Sequence, residues 1–258
     1  DGSSSMAKDN WQEAVDFVAT VAAMLPSNYE TAVMVYNEDV VVCTDFGQTL
    51  ESQLSELQEA EKRGYTNTGL AVDYALERFS EGIPGQKRIV ILSDGEISMK
   101  GQPETEEARM LYENAVADAK NQNVKIDVLL FGAEGIEEQI SYGPETTDGF
   151  VFRKTEGKSV EDFAQNYLFE QLGLERIMLG ASDTSEHAAN ISLQDAFSEQ
   201  ARILLVAESR IEDIKVTCQC KDIQITRGGR FAVVHLDSPI EKDVALQYTL
   251  AEKGKVSA

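Results

Sequence analysis

The chain has 258 residues, 42% of them apolar, which is enough for one large domain or two small ones and too much for a disordered chain. Its 45 acidic side chains against 23 basic ones give a net charge of −22 and a pI near 4.4. Such a body repels phosphate backbones and anionic lipid surfaces, so general nucleic-acid binding and basic-patch membrane adhesion are excluded.

No apolar run reaches the roughly 20 residues of a membrane span, so direct membrane insertion is not expected. The three cysteines do not make a disulfide framework. Cys218 and Cys220 stand two apart in a strand-like run, on one face, and are expected to stay unbridged as small packing residues. His187 and His235 are far apart in sequence, which favours neither a zinc site nor a Ser–His hydrolase. The charge is uneven: residues 1–170 carry 32 acidic and 13 basic side chains, a net of −19, and residues 171–258 carry 13 and 10, a net of −3. The pattern of elements changes at the same place.

The first elements alternate between helical and strand periods. Asn10 to Leu25 places Trp11, Ala14, Val15, Val18, Val21, Ala22 and Leu25 on one helical stripe, with Asn10 and Glu13 set as a capping box and Pro26 beyond the end. Thr31–Tyr36 and Val40–Thr44 read as strands joined by a tight turn at Asn37-Glu38-Asp39. Leu50–Leu57 suits a short helix. Thr68–Phe79 suits another, with Leu70, Ala71, Tyr74, Ala75 and Phe79 inward and Gly82 and Pro84 past its end. Arg88–Ser93 is a continuous apolar run, as in a strand covered on both faces. Glu104–Asn121 is helical along Ala108, Leu111, Tyr112, Ala115 and Ala119. Val124–Phe131 and Phe150–Arg153 are strand-like, and Ser159–Leu172 is a helix with Ser159 as N-cap and Asp162 three residues on.

This alternation predicts an α/β fold, a doubly wound and mostly parallel sheet over residues 1–172. Residues 173–258 offer only short β runs, at Arg176–Gly180, Asn190–Leu193, Ala201–Ala207, Ile214–Cys220, Ile223–Thr226, Phe231–Leu236 and Val244–Leu250. Arg227-Gly228-Gly229-Arg230 is a hairpin turn. A small all-β sandwich is expected there, with an end that can be truncated.

Ligands of parallel sheets sit at the carboxyl ends of the strands, so the loops there carry the chemistry. Three stand out: Asp1-Gly2-Ser3-Ser4-Ser5, Gly64-Tyr65-Thr66-Asn67-Thr68-Gly69, and Ser93-Asp94-Gly95-Glu96. Alone, each reads as a cap or a turn. Together they bring two carboxylates, Asp1 and Asp94, and three hydroxyls, Ser3, Ser5 and Thr66, to one edge. Oxygen ligands alone suit a hard cation, Mg²⁺ or Mn²⁺. With three neutral ligands the ion keeps most of its charge, so an open position would attract a carboxylate.

These residues resemble the von Willebrand factor type A (VWA) family, over roughly residues 1–172. Its metal-ion-dependent adhesion site has an Asp-x-Ser-x-Ser first loop, here Asp1, Ser3 and Ser5. A threonine of the second loop corresponds to Thr66 in the Gly-x-Thr-x-Thr-Gly form, with Thr68 the other choice, and the aspartate of an Asp-Gly pair corresponds to Asp94. The resemblance implies a Mg²⁺ or Mn²⁺ site that binds an acidic residue of a partner protein, in a protein of the bacterial surface type, extracellular or at the cell surface. Tyr65 and Glu96 are candidates for touching that partner, beside a packing role for Tyr65 and a solvent-facing or loop-ordering role for Glu96. In the family an apolar strand precedes the first aspartate and lies centrally in the sheet. An upstream segment or another chain is expected to supply it here, and a free α-amino group at Asp1 would put positive charge beside the cation site.

Other readings fit less well. An intracellular assembly factor working with an ATPase, as in chelatase-like or metal-insertion complexes, suits the trailing β domain poorly. An enzyme is not expected: no Gly-x-x-x-x-Gly-Lys-Ser/Thr or Gly-x-Gly-x-x-Gly loop is present and no general base is clearly placed. The missing glycine-rich phosphate loop also argues against a nucleotide-binding doubly wound domain.

Overall fold

The computed structural model describes residues 1–6, 8–25, 29–79, 85–131, 137–154, 159–172, 178–181, 186–192, 200–237, 243–252 and 254–257. Pro26, Gly82, Pro84 and the first two residues of the strand expected at Arg176 lie outside them. The chain divides into two compact units, Asp1–Val15 with Glu30–Glu156, and Asp16–Tyr29 with Gly157–Ala258.

The first unit is α/β. Helix α1 (Lys8–Met24), whose residues from Asp16 on belong to the second unit, is followed by an antiparallel hairpin of β1 (Met34–Tyr36) and β2 (Val40–Cys43). The expected turn closes it: Asn37 N–H donates to Asp39 O, and Asp39 N–H donates to Asn37 Oδ1. Then come α2 (Leu50–Glu59), α3 (Thr68–Arg78), β3 (Lys87–Ser93), α4 (Gln102–Asn121), β4 (Val124–Leu130), α5 (Glu137–Thr147) and β5 (Val151–Arg153). Strands β3, β4 and β5 form a parallel sheet in that order. Its core joins Val72 and Leu76 of α3, Ala108, Tyr112, Ala115 and Ala119 of α4, and Ile126, Val128 and Leu130 of β4.

Several local expectations need correction. Helix α1 starts at Lys8, so Asn10 is inside it, donating through Nδ2 to Phe131 O at 3.3 Å. Its buried apolar positions are Ala14, Val15, Phe17, Ala23 and Met24, not the whole predicted stripe. Phe17 turns that face by packing on Phe163 and Tyr167, each ring 5.6 Å away. In α3 the buried apolar side chains are Ala71, Val72 and Leu76, whereas Tyr74 is exposed, because the face toward α4 is one residue round from the predicted one. In β3 only Ile91 and Ser93 are buried. Among the described residues β3 pairs with β4 alone, so Ile89, Val90 and Leu92 stay half-buried.

Helix α5 was not predicted from the sequence, and Pro144 lies inside it. Proline has no N–H, so the carbonyl four residues back loses its helical partner. That carbonyl belongs to Ile140, and the buried Tyr112 hydroxyl donates to it at 2.7 Å. A Cβ at position 143 would strike the same hydroxyl, so only glycine lets α4 repair α5. Burial pushes the Tyr112 phenol up, keeping it a neutral donor.

The second unit holds α6 (Val160–Leu172), whose predicted cap forms: Asp162 N–H donates to Ser159 Oγ at 3.1 Å. Two antiparallel sheets follow, one of β10 (Ile223–Arg227), β11 (Phe231–Asp237), β8 (Gln200–Ala207), β13 (Lys255–Ser257) and β6 (Met178–Ala181), the other of β7 (Glu186–Ser192), β12 (Asp243–Leu250) and β9 (Ile211–Thr217). They share one core, with Leu205, Val234 and Leu236 from the first and Ile214, Val244 and Leu246 from the second, as the expected sandwich requires. Strand β13 escaped the sequence reading, being three residues long.

The cysteine expectation is overturned. Strand β9 ends at Thr217, so Cys218 and Cys220 lie in the turn before β10 rather than along a strand, and a disulfide joins them with Cα atoms 5.7 Å apart. The turn brings together side chains that a pleated strand would hold parallel.

In the same sheet, Gln224, His235 and Arg202 sit in register across β10, β11 and β8. Arg202 Nε donates to His235 Nδ1 at 3.1 Å. Burial holds His235 below its ordinary 6.5, the Arg202 charge adds to this, and Asp237 opposes it. Its stabilising contribution is therefore complete above pH 6.5 and declines as pH falls, because the unfolded imidazole then takes up the proton first. Amide exchange in β8 and β11, corrected for intrinsic rates, should lose protection between pH 7.5 and 5, and His235→Gln should remove that component.

Candidate functional site

The three loops singled out by the sequence meet through their backbones. Gly2 N–H donates to Tyr36 O at 2.6 Å and Asp1 N to Leu92 O at 2.9 Å, which sets the first loop between the ends of β1 and β3. Arg63 N–H donates to Gly2 O at 3.0 Å and Ser4 N–H to Gly64 O at 3.1 Å, strapping the second loop to the first. Thr66 and Ser98 exchange both backbone bonds, at 2.7 and 3.1 Å, which joins the second loop to the stretch after Asp94. The third loop turns at Gly95 with φ +98°, a conformation that favours glycine. Asn67 caps α3 by accepting from Leu70 N–H at 3.2 Å, which fixes where Thr66 and Thr68 stand.

The side chains sort by what they already bond. Asp1 is buried, accepting from Ser3 N–H through Oδ1 at 2.9 Å and from the Ser93 hydroxyl through Oδ2 at 2.6 Å. Ser3 Oγ and Ser5 Oγ are 2.9 Å apart, with Ser3 buried and Ser5 exposed. Thr68 Oγ1 is taken by the Tyr36 phenol at 3.4 Å. Thr66 Oγ1 and Asp94 Oδ1 are different: both are buried and neither has a hydrogen-bond partner. A buried oxygen left unpaired costs about 1–3 kcal/mol, and these two stand on neighbouring loops that the backbone joins.

The geometry thus distinguishes the two threonines by chemistry that spacing alone did not supply. The donor set expected from the sequence is two carboxylates and three hydroxyls. No three His, Cys, Asp or Glu side chains gather as a metal-binding group among the described residues, so any cation here would rest on hydroxyl oxygens as much as on carboxylates. Tyr65 is 38% exposed and Glu96 is exposed, and both stand on these loops.

Electrostatics bind Asp94 to the same place. Burial lowers the Asp1 α-amino group to about 5, and the Asp94 carboxylate opposes that shift. Burial pushes the Tyr36 phenol up as well, with bonds to Thr68 and Ser93 opposing and Asp94 adding to the rise. Tyr36 and Ser93 are the residues that sequence reasoning left out of the site. A serine at the inward end of an apolar strand, immediately before Asp-Gly, was the available signal for one of them.

The von Willebrand factor type A domain family matches residues 1–166. No curated protein sequence matches the chain. Among solved structures, a von Willebrand factor type A protein from Catenulispora acidiphila aligns with TM-score 0.51 and 14% identity, covering 98% of this chain and 57% of that one. An aerotolerance-related membrane protein from Bacteroides fragilis aligns with TM-score 0.50 and 15% identity, over 66% of this chain and 94% of that one. Proximal thread matrix protein 1 from the mussel byssus aligns with TM-score 0.50 and 17% identity, over 69% and 46%. At these identities the likeness is one of fold.

Proposed function

The chain belongs to the von Willebrand factor type A domain family, and from that premise we propose that it is a protein-binding module that engages its partner through a bound divalent cation. Asp1, Ser3, Ser5, Thr66 and Asp94 would hold Mg²⁺, or Mn²⁺, as the metal-ion-dependent adhesion site of the family. The observation that carries this is the pair of buried, unpartnered oxygens, Thr66 Oγ1 and Asp94 Oδ1. When bound, the ion supplies a positive centre for a carboxylate oxygen of the partner. The chain's own part is to keep Asp1 fixed by two hydrogen bonds and to present hydroxyls rather than further carboxylates, so that charge is left over for that oxygen.

The partner in this reading is a protein that is basic or neutral overall and offers one acidic residue, since residues 1–170 at −19 repel an acidic body within the 8–10 Å Debye length. Tyr65 and Glu96 border the site as partner contacts. The module has no catalytic residue in this proposal. An extracellular or cell-surface place, in a bacterium, is supported by the Cys218–Cys220 disulfide, since such bonds persist in oxidising compartments. No helix among the described residues is long and apolar enough to cross a membrane. A further strand, from an upstream segment or another chain, belongs between β1 and β3 in this reading. Its support is that Asp1 and Gly2 already bond to Leu92 O and Tyr36 O like the end of such a strand.

Calorimetric titration of the chain with Mg²⁺ tests the proposal. Saturable uptake is expected, with affinity falling at least tenfold in Asp94→Ala while Trp11 fluorescence reports an unchanged fold. Equal uptake by parent and variant, or none by a folded parent, overturns it.

A further inference from the structure

Resting on that reading, we propose that the Ser93 hydroxyl is the positioning group of the site, the joint that locks the first loop to the third and sets the orientation of the Asp1 carboxylate. Ser93 ends β3 and is fully buried, at 0% exposure. Its single proton goes to Asp1 Oδ2 at 2.6 Å. A hydroxyl oxygen has two lone pairs. One accepts Gly95 N–H at 3.0 Å. The proton and one lone pair of the Ser93 hydroxyl are thereby spent on the first and third loops.

The consequences follow from valence. Asp1 Oδ1 is held by Ser3 N–H and Oδ2 by Ser93, so the carboxylate cannot rotate without breaking a bond to one loop or the other. Gly95 N–H, held by the same hydroxyl, fixes the turn that starts at Asp94. Asp1 and Asp94 lie on chain segments more than ninety residues apart, yet one oxygen atom sets both. Groups that orient metal ligands in this way, without touching the ion, typically alter affinity by about 10–100-fold when removed.

The test is Mg²⁺ calorimetry on the full chain and on Ser93→Ala, Ser93→Cys and Ser93→Thr, with Trp11 fluorescence as the check of folding. Alanine removes donor and acceptors, cysteine keeps the volume but donates weakly, and threonine keeps the hydroxyl. The expected result is a 10–100-fold loss of affinity in alanine and cysteine, and a value within about threefold of the parent in threonine. In the metal-free chains, the Gly95 amide should exchange faster in alanine and cysteine than in the parent. Where alanine fails to fold, the contrast between cysteine and threonine decides. Parental affinity in a folded Ser93→Ala, or recovery by cysteine as complete as by threonine, overturns the inference while leaving the metal site standing. A parent that takes up no Mg²⁺ overturns both.

Discussion

Ser93 ends a strand whose other end carries a different device, and Arg88→Met should lower the stability of the first unit by about 3–5 kcal/mol. Arg88 Nη1 reaches both oxygens of Asp127, at 2.6 and 2.5 Å. Asp127 lies in the middle of β4 with its side chain fully buried, whereas the Arg88 side chain keeps 19% exposure. The asymmetry decides which substitution costs more. Removing Asp127 leaves a guanidinium that can lean toward water and an unpaired Phe150 N–H, which now donates to Asp127 Oδ1 at 2.9 Å. Removing Arg88 takes this guanidinium from a fully buried carboxylate. We therefore expect Arg88→Met to be worse than Asp127→Asn, which keeps an acceptor for Phe150. Trp11 is the chain's single tryptophan and belongs to the first unit, so its fluorescence reads that unit's urea transition. With an ordinary urea slope of about 2 kcal/mol per M, the midpoint should fall by about 1.5–2.5 M. A shift under 0.5 M, about 1 kcal/mol on that slope, would show that the pair contributes no more than a surface ion pair.

That pair was invisible in the sequence, and the reason is general to this chain. Periodicity reports which residues can face a core, so α4 with Ala108, Tyr112, Ala115 and Ala119 was legible, as were the strands from Arg88 and Val124 and the Ser159 cap. It does not report partners supplied from elsewhere in the fold. Pro144 disfavours a helix on local grounds, and Tyr112, 28 residues before Ile140, supports α5 by donating to the carbonyl of Ile140. Asp127 in an apolar run reads as an edge or an anomaly until Arg88 is placed beside it on the neighbouring strand. Cys218 and Cys220 looked parallel because β9 was read three residues too far along the chain. The three candidate loops were legible as short motifs, whose spacing survives without tertiary knowledge, and the structure joins those loops through hydrogen bonds. What the motifs could not show is which oxygens are already spent, and that is what separates Thr66 from Thr68.

This separation gives the second large effect. Thr66→Val should lower Mg²⁺ affinity by about 10-fold or more, whereas Thr68→Val should leave it within about threefold of the parent and act on stability instead. The two residues are two apart, both buried, both at the start of α3, and valine matches threonine closely in shape. They differ in one respect. Thr66 Oγ1 has no hydrogen-bond partner among the described residues, so replacing it by a methyl removes a buried unsatisfied oxygen and relieves a cost of about 1–3 kcal/mol. The metal-free Thr66→Val protein should consequently melt at or above the parent's temperature. Thr68 Oγ1 meets the Tyr36 phenol at 3.4 Å, so Thr68→Val strips a partner from a buried hydroxyl and should melt lower. Function and stability are thus expected to move in opposite directions at Thr66 and together only weakly at Thr68. A Thr66→Val protein that is destabilised without Mg²⁺ would mean that its hydroxyl already serves the fold. Loss of Mg²⁺ affinity in Thr68→Val with none in Thr66→Val would move the ligand two residues along the chain, and with it the point from which a partner's carboxylate is received.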